Sequence, residues 1–304
     1  MYVPVSGRRW HSDSNKQKIC EVEMVKIVTD SSCDLSDEIL KELDITMVPL
    51  SVRFGEEVFR ERVNMSAEQF FQRLLKDPFH PATIQPNSVE FLGAYEKACA
   101  GADGIVSIHI SSKMSGTINS AREAKGILKS GCPVEIIDSK TVSVDLGNVV
   151  IAAAEAAKQG KSMQEVVRVA NEAIGNVRAL CLLDTLKFLE KGGRIGKATA
   201  LVGTVLNVKP IITVKDGEVV PYGRVRNYEK GLDQVVKFIQ GYSDIQEILV
   251  AWTTDEKPAR DLAGRVSAFY KLKPVKVMRV GTTLGVHVGP GAIIISLRCS
   301  PKAA

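Results

Sequence analysis

Hydroxyl groups and glycine crowd one short stretch of this chain. Between residues 111 and 121 stand Ser111, Ser112, Ser115, Gly116, Thr117 and Ser120, after an apolar run at 104–110 and before a helical pattern at 121–128. Strand, hydroxyl-rich turn and helix together gather neutral donors at the carboxyl end of a sheet. The first N–H groups of a helix lack intrahelical partners and favour anions. Ser115 and Thr117 add hydroxyl donors, and Gly116 lets a ligand approach the backbone closely. The chemistry this suits is the holding of an anion. An ordinary capped helix accounts for the same residues, since Ser and Thr are preferred caps.

Three other stretches carry candidate groups. Thr83 opens a loop of Thr83, Ile84, Gln85, Pro86 and Asn87, and its hydroxyl is a second donor; a plain capped loop is the other reading. His287 stands among Gly285, Gly289 and Gly291, either as a donor to an anion or as a structural histidine. Ser115 and His287 together also raise a Ser–His hydrolase. Ser115 does not sit in a G-x-S-x-G elbow, however, and spacing identifies no partner aspartate. Lys191 and Arg194 flank Gly192 and Gly193 at a glycine-capped helix end, where they form an exposed basic pair. Neither this segment nor Gly289, Pro290 and Gly291 matches a nucleotide phosphate loop.

The elements that must position these groups follow from hydrophobic periodicity. Strands are expected at 24–28, 46–51, 104–110 and 134–139, with helices from Ser36, at 67–76, 87–100, 121–128 and 148–158. A hairpin is expected at 52–60. Strand–helix alternation over residues 24–160 implies a doubly wound parallel sheet, an α/β/α domain with right-handed crossovers. Over residues 161–304 the rhythm changes. A hairpin turning at Lys215, Asp216 and Gly217, with several helices, implies a second α/β domain with a mixed, partly antiparallel sheet. Residues 1–23 are rich in basic and polar residues and lack the apolar core of a secretory signal. They read as a disordered leader or an upstream start.

Composition bounds the function. The chain has 304 residues, 45% apolar and 25% charged, with a formal net charge of +5. Its basic residues are dispersed, without the stripe that nucleic acid requires. No apolar run is long enough for a membrane helix. The cysteines Cys20, Cys33, Cys99, Cys132, Cys181 and Cys299 form no C-x-x-C pair and have no histidine at ligand spacing. A metal site and a disulfide framework are therefore not expected, and scattered thiols suit a reducing cytoplasm.

In combination and order, these segments resemble the DegV family of bacterial fatty-acid-binding proteins, which includes the FakB subunits of fatty acid kinase. The resemblance runs from about residue 24 to residue 298. It rests on Thr29, Asp30 and Ser31; Thr83 to Asn87; Ile110 to Ala121; Ile137 to Ser139; Leu186 to Gly196; Asn207 to Pro210; and His287 to Gly291. It implies two α/β domains with a long-chain fatty acid between them, the tail in the second domain. Thr83, Ser115, Gly116, Thr117 and His287 would face the carboxylate, without an arginine among them. It further implies a carrier without catalytic residues or cofactor, which presents the carboxylate to a separate kinase subunit that Lys191 and Arg194 would contact. A small-ketone or sugar-binding subunit related to dihydroxyacetone kinase is a further alternative. Ile84 and Asn87 stand where the family usually has serine, so the contribution of position 84 is in question. Burying about sixteen carbons of tail is worth on the order of 10 kcal/mol. The carboxylate, in contrast, is costly to bury without donors.

Overall fold

A computed structural model describes residues 23–202, 208–270 and 274–300. The leader at 1–22, Cys20 and Asn207 lie outside the described residues.

The first half alternates as β1 (Val25–Asp30), α1 (Asp37–Glu42), β2 (Ile45–Val48), β3 (Ser51–Phe54), β4 (Glu57–Arg60), α2 (Ala67–Lys76), β5 (Ala82–Ile84), α3 (Ser88–Cys99), β6 (Gly104–His109), α4 (Thr117–Ile127), β7 (Val134–Asp138) and α5 (Val144–Lys158). A parallel sheet forms in the order β2-β1-β6-β7. Every residue of central β6 is buried, as expected of a strand covered on both faces. Phe91, Tyr95, Ala121 and Ala124 of α3 and α4 pack one face, while α1 and α5 pack the other. The doubly wound reading therefore holds.

Some local expectations change. The strand expected at 46–51 is two strands, because Pro49 cannot donate to a continuing ladder. The 81–87 loop begins as β5, which pairs antiparallel with β3 and places Thr83 opposite Val52. Helix α4 starts at Thr117 rather than Ala121, because burial of Thr117, Ile118 and Ser120 outweighs their modest helix propensity.

The second half continues as α6 (Met163–Asn176), β8 (Val177–Leu182), α7 (Lys187–Lys191), β9 (Lys209–Lys215), β10 (Glu218–Val225), α8 (Tyr228–Gln240), β11 (Ile245–Trp252), α9 (Lys257–Phe269), β12 (Lys276–Arg279), α10 (Thr282–Val288) and β13 (Ile293–Cys299). Its sheet runs β10-β9-β8-β13-β11-β12. Only β11 and β12 pair in parallel; the other neighbours are antiparallel. Helices α8 and α9 cover its outer face through Leu232, Val236, Leu262 and Val266.

Helix α5 joins the two halves. It is apolar on nearly every side, and every residue from Val144 through Ala154 is buried. A helix of that kind belongs inside a core. It contacts β1 of the first sheet and β8, β11 and β13 of the second. The division expected near residue 160 falls in the turn between α5 and α6, and both helices share one core cluster.

Candidate functional site

The site lies between the loops at the carboxyl end of the first sheet and one face of the second. Ser115 follows β6 and precedes α4, whose N-cap is Gly116. Its hydroxyl pairs with that of Thr117 at 2.8 Å and accepts the Thr117 N–H at 3.3 Å. Thr117 is fully buried behind Ser115 and supports it rather than reaching the cavity. A Cβ at Gly116 would lie 2.4 Å from Gln85 Oε1, so the glycine makes room for that side chain.

β5 brings in Thr83. Its Oγ1 lies 3.4 Å from His287 Nε2. Gln85, just past the end of β5, also borders the cavity and donates to Ser120 Oγ at 3.3 Å. Ile84 alternates outward and does not border the cavity, so the missing hydroxyl at 84 is not a missing ligand contact. Asn87 forms the expected capping box with Glu90, which fixes the start of α3 just past the site.

The glycine-rich segment that carries His287 is a helix at this residue, which occupies the last turn of α10. The glycines that disguise this helix serve close contacts. Gly285 abuts Phe70, where a Cβ would sit 2.6 Å from the ring, and Gly289 adopts φ +70° at the helix end. Gly192 from the turn after α7 backs the imidazole, since its Cβ would lie 2.2 Å from Nδ1. That Nδ1 is buried and has no partner among the described residues. The left-handed residue of this turn is Gly193, with φ +67°, while Gly192 stays right-handed.

Arg194 and Lys191 are both exposed, but they part company at the site. Lys191 does not border the cavity. Arg194 does, and its guanidinium donates to the carbonyls of Met114 at 3.3 Å and Gly192 at 3.0 Å. A cation thus stands beside the neutral donors. The sequence separation of Arg194 from the other segments hid it.

These groups border a cavity of about 130 Å3. By that measure a single water needs about 10–15 Å3, so the space suits a much larger guest. Its polar side holds Thr83, Gln85, Ser115, Arg194 and His287. The remaining wall is mostly apolar, drawn from Ile110 and Met114, from Leu180 on β8, Ile212 and Val214 on β9, Val288 on α10 and Ile294 on β13. Thus one surface can meet an anion and the rest can meet hydrocarbon.

The hydrolase alternative finds no catalytic pair here. The Ser115 hydroxyl is engaged by Thr117, and His287 Nε2 faces Thr83. A second set resembles a triad: His109 Nδ1 lies 3.0 Å from Asp30, and Nε2 lies 2.6 Å from Ser107. All three side chains are fully buried, which seals that serine from any substrate. Among the described residues no cluster of three or more His, Cys, Asp or Glu can hold a metal, and no helix is long and apolar enough to cross a membrane.

Burial, then the charges of Arg194 and His80, push His287 from 6.5 down to about 4. The free protein therefore holds this ring neutral at pH 7. Since the unfolded chain binds the proton more readily, this group's contribution to stability is complete above about pH 6.5 and declines toward pH 4. The decline amounts to up to about 3 kcal/mol. Asp34 acts in the opposite sense. Burial and the neighbouring Glu61 push it up to about 7, so its contribution grows as pH falls below that value. Urea unfolding at about pH 7 and pH 4.5 is expected to show a smaller acid loss in His287→Asn than in wild type. Equal losses would mean that His287 titrates normally.

The cavity thus lies between the carboxyl end of a doubly wound sheet and one face of a mixed sheet. The chain belongs to the DegV family: a profile of uncharacterised proteins of that family matches residues 24–298. A DegV domain-containing protein of Deinococcus radiodurans is 34% identical over 277 residues, covering 90% of this chain and 98% of the relative. Among solved structures, a fatty-acid-binding DegV family protein from Thermus thermophilus is 30% identical, with TM-score 0.85 over 91% of this chain and 100% of its own. A stearic-acid-binding protein from Eubacterium ventriosum is 28% identical, with TM-score 0.84 over 90% and 98% respectively.

Proposed function

We propose that this chain is a carrier of long-chain fatty acids that presents the carboxylate to a separate kinase subunit for acyl phosphate formation. The observation that carries the reading is the single cavity wall that changes from Leu180, Ile212 and Ile294 to Ser115, Thr83, Arg194 and His287. The fatty acids bound by the Thermus and Eubacterium relatives support an acyl guest. A small ketone or sugar would leave most of the apolar wall uncovered.

In this reading the tail lies along the second sheet, over Leu180, Ile212 and Ile294. The carboxylate meets Ser115 at the α4 N-terminus, with Thr83 and His287 beside it, and Arg194 lies at the rim. Hydroxyl and imidazole donors hold one carboxylate oxygen and leave the other able to attack a phosphoryl group. The kinase subunit supplies the nucleotide and the phosphoryl transfer.

Lys191 and Arg194 separate the two halves of this proposal. Lys191→Glu is expected to lose phosphorylation by a cognate kinase while retaining bound lipid. Arg194→Glu is expected to weaken both, because its side chain borders the cavity as well as the surface. Kinase assays and the thermal shift on adding stearate measure the two effects, since a ligand of the folded state raises its stability by mass action. Lipid lost in Lys191→Glu, or phosphorylation retained in both variants, would contradict the presenting surface.

A further inference from the structure

The cavity wall contains a group that a plain alkyl tail cannot satisfy. Asp145, in the first turn of α5, is 5% exposed and borders the cavity beside Ser143 and Thr141. Its Oδ2 accepts from Thr141 Oγ1 at 2.7 Å, and its Oδ1 accepts from Ser296 Oγ at 2.6 Å on β13. Ser296 in turn accepts from Asn148 Nδ2 at 2.8 Å. Asn148 is fully buried, and its Oδ1 has no partner among the described residues.

An acid in the first turn of a helix is commonly a cap, favoured by the dipole. Asp145 is not used that way, since its carboxyl oxygens are turned to Thr141 and β13. A carboxylate offers about four acceptor positions, and two are filled here. An alkyl chain laid across the remainder would strip water from the acid without replacing its hydrogen bonds. Burial also pushes this carboxyl above the usual range. When protonated, the acid becomes a donor in need of an acceptor. A hydroxyl both donates and accepts, so it complements Asp145 in either state.

We propose that the acyl ligand of this chain carries a hydroxyl group along its chain, and that Asp145, backed by Ser296, recognises it. The inference rests on the fatty-acid reading above and names the ligand class more closely.

The test titrates delipidated full-length protein with stearate and with a positional series of hydroxystearates. Wild type is expected to bind one positional isomer about tenfold more tightly than stearate, the worth of roughly one hydrogen bond to a charged group. Asp145→Leu should remove that preference. Asp145→Asn should keep part of it. If wild type binds stearate and no isomer binds more tightly, Asp145 is a structural or water-held acid and the inference fails while the carrier reading stands. If no acyl chain binds, the carrier reading fails and this inference falls with it. The wild-type series decides the matter even if Asp145→Leu does not fold.

Discussion

Ser115→Ala is expected to weaken fatty-acid binding by roughly 10–150-fold, the cost of one hydrogen bond to a charged group. Three features concentrate the effect at this residue. Its hydroxyl borders the cavity, it stands at the N-terminal end of an eleven-residue helix, and Thr117 orients it at 2.8 Å. Dipole and hydroxyl therefore act on the same anion. Thr83→Ala should cost less, because His287 remains to donate from the same side. Affinity measured by displacement of a fluorescent fatty acid distinguishes the two variants. Equal affinities for wild type and Ser115→Ala would remove Ser115 from the carboxylate site.

The largest expected loss of stability follows Asp30→Ala. The Asp30 carboxylate accepts from Ser32 N at 3.1 Å, Ile110 N at 3.1 Å and His109 Nδ1 at 3.0 Å, and it also pairs with the Ser32 hydroxyl. All of these groups are buried. Alanine would leave several donors unsatisfied in the centre of the first sheet, a cost of about 3–5 kcal/mol. The exposed Lys26–Asp44 pair supplies the control, since surface pairs contribute about 0–1 kcal/mol. Urea unfolding of Asp30→Ala and Asp44→Ala should separate these two scales. A loss below about 1 kcal/mol in Asp30→Ala would mean that the Asp30–His109 network is dispensable. Because Ser32 borders the cavity, the same change should also loosen the wall beside the ligand.

Periodic, local signals made much of this fold legible in advance. The α2 bounds, the Asn87 capping box and the hairpin turn at Asp216 and Gly217 each depend on neighbours in sequence, and each agrees with the structure. The alternation of β1, β6 and β7 with helices correctly implied a parallel sheet. What remained hidden depends on tertiary burial. Gly285 and Gly289 masked the helical pattern of α10, although they are there to admit Phe70 and Phe188. The hydroxyl run before Ala121 looked like a turn, although its last residues, Thr117 and Ser120, are buried in α4.

The site was legible by segment but not by assembly. Ser115, Thr83 and His287 were singled out from residue type, and the fold brings them to one cavity. Gln85 was missed although it stands only two residues past Thr83, just beyond the end of β5. Arg194 was read as surface only, because nothing in the sequence reports that the turn after α7 folds back against Met114. Asp145 was missed because the expected helix began at Asn148, whereas α5 begins at Val144 and carries the acid in its first turn.

The central claim is that the cavity holds an acyl chain. Native mass spectrometry of the full chain, purified from a bacterial host without detergent, tests it most directly. The expected spectrum shows the protein with one added mass in the range of a long-chain fatty acid, lost after organic extraction and restored by added stearate. A spectrum of protein alone, unchanged by added stearate and accompanied by no thermal shift, would contradict the account.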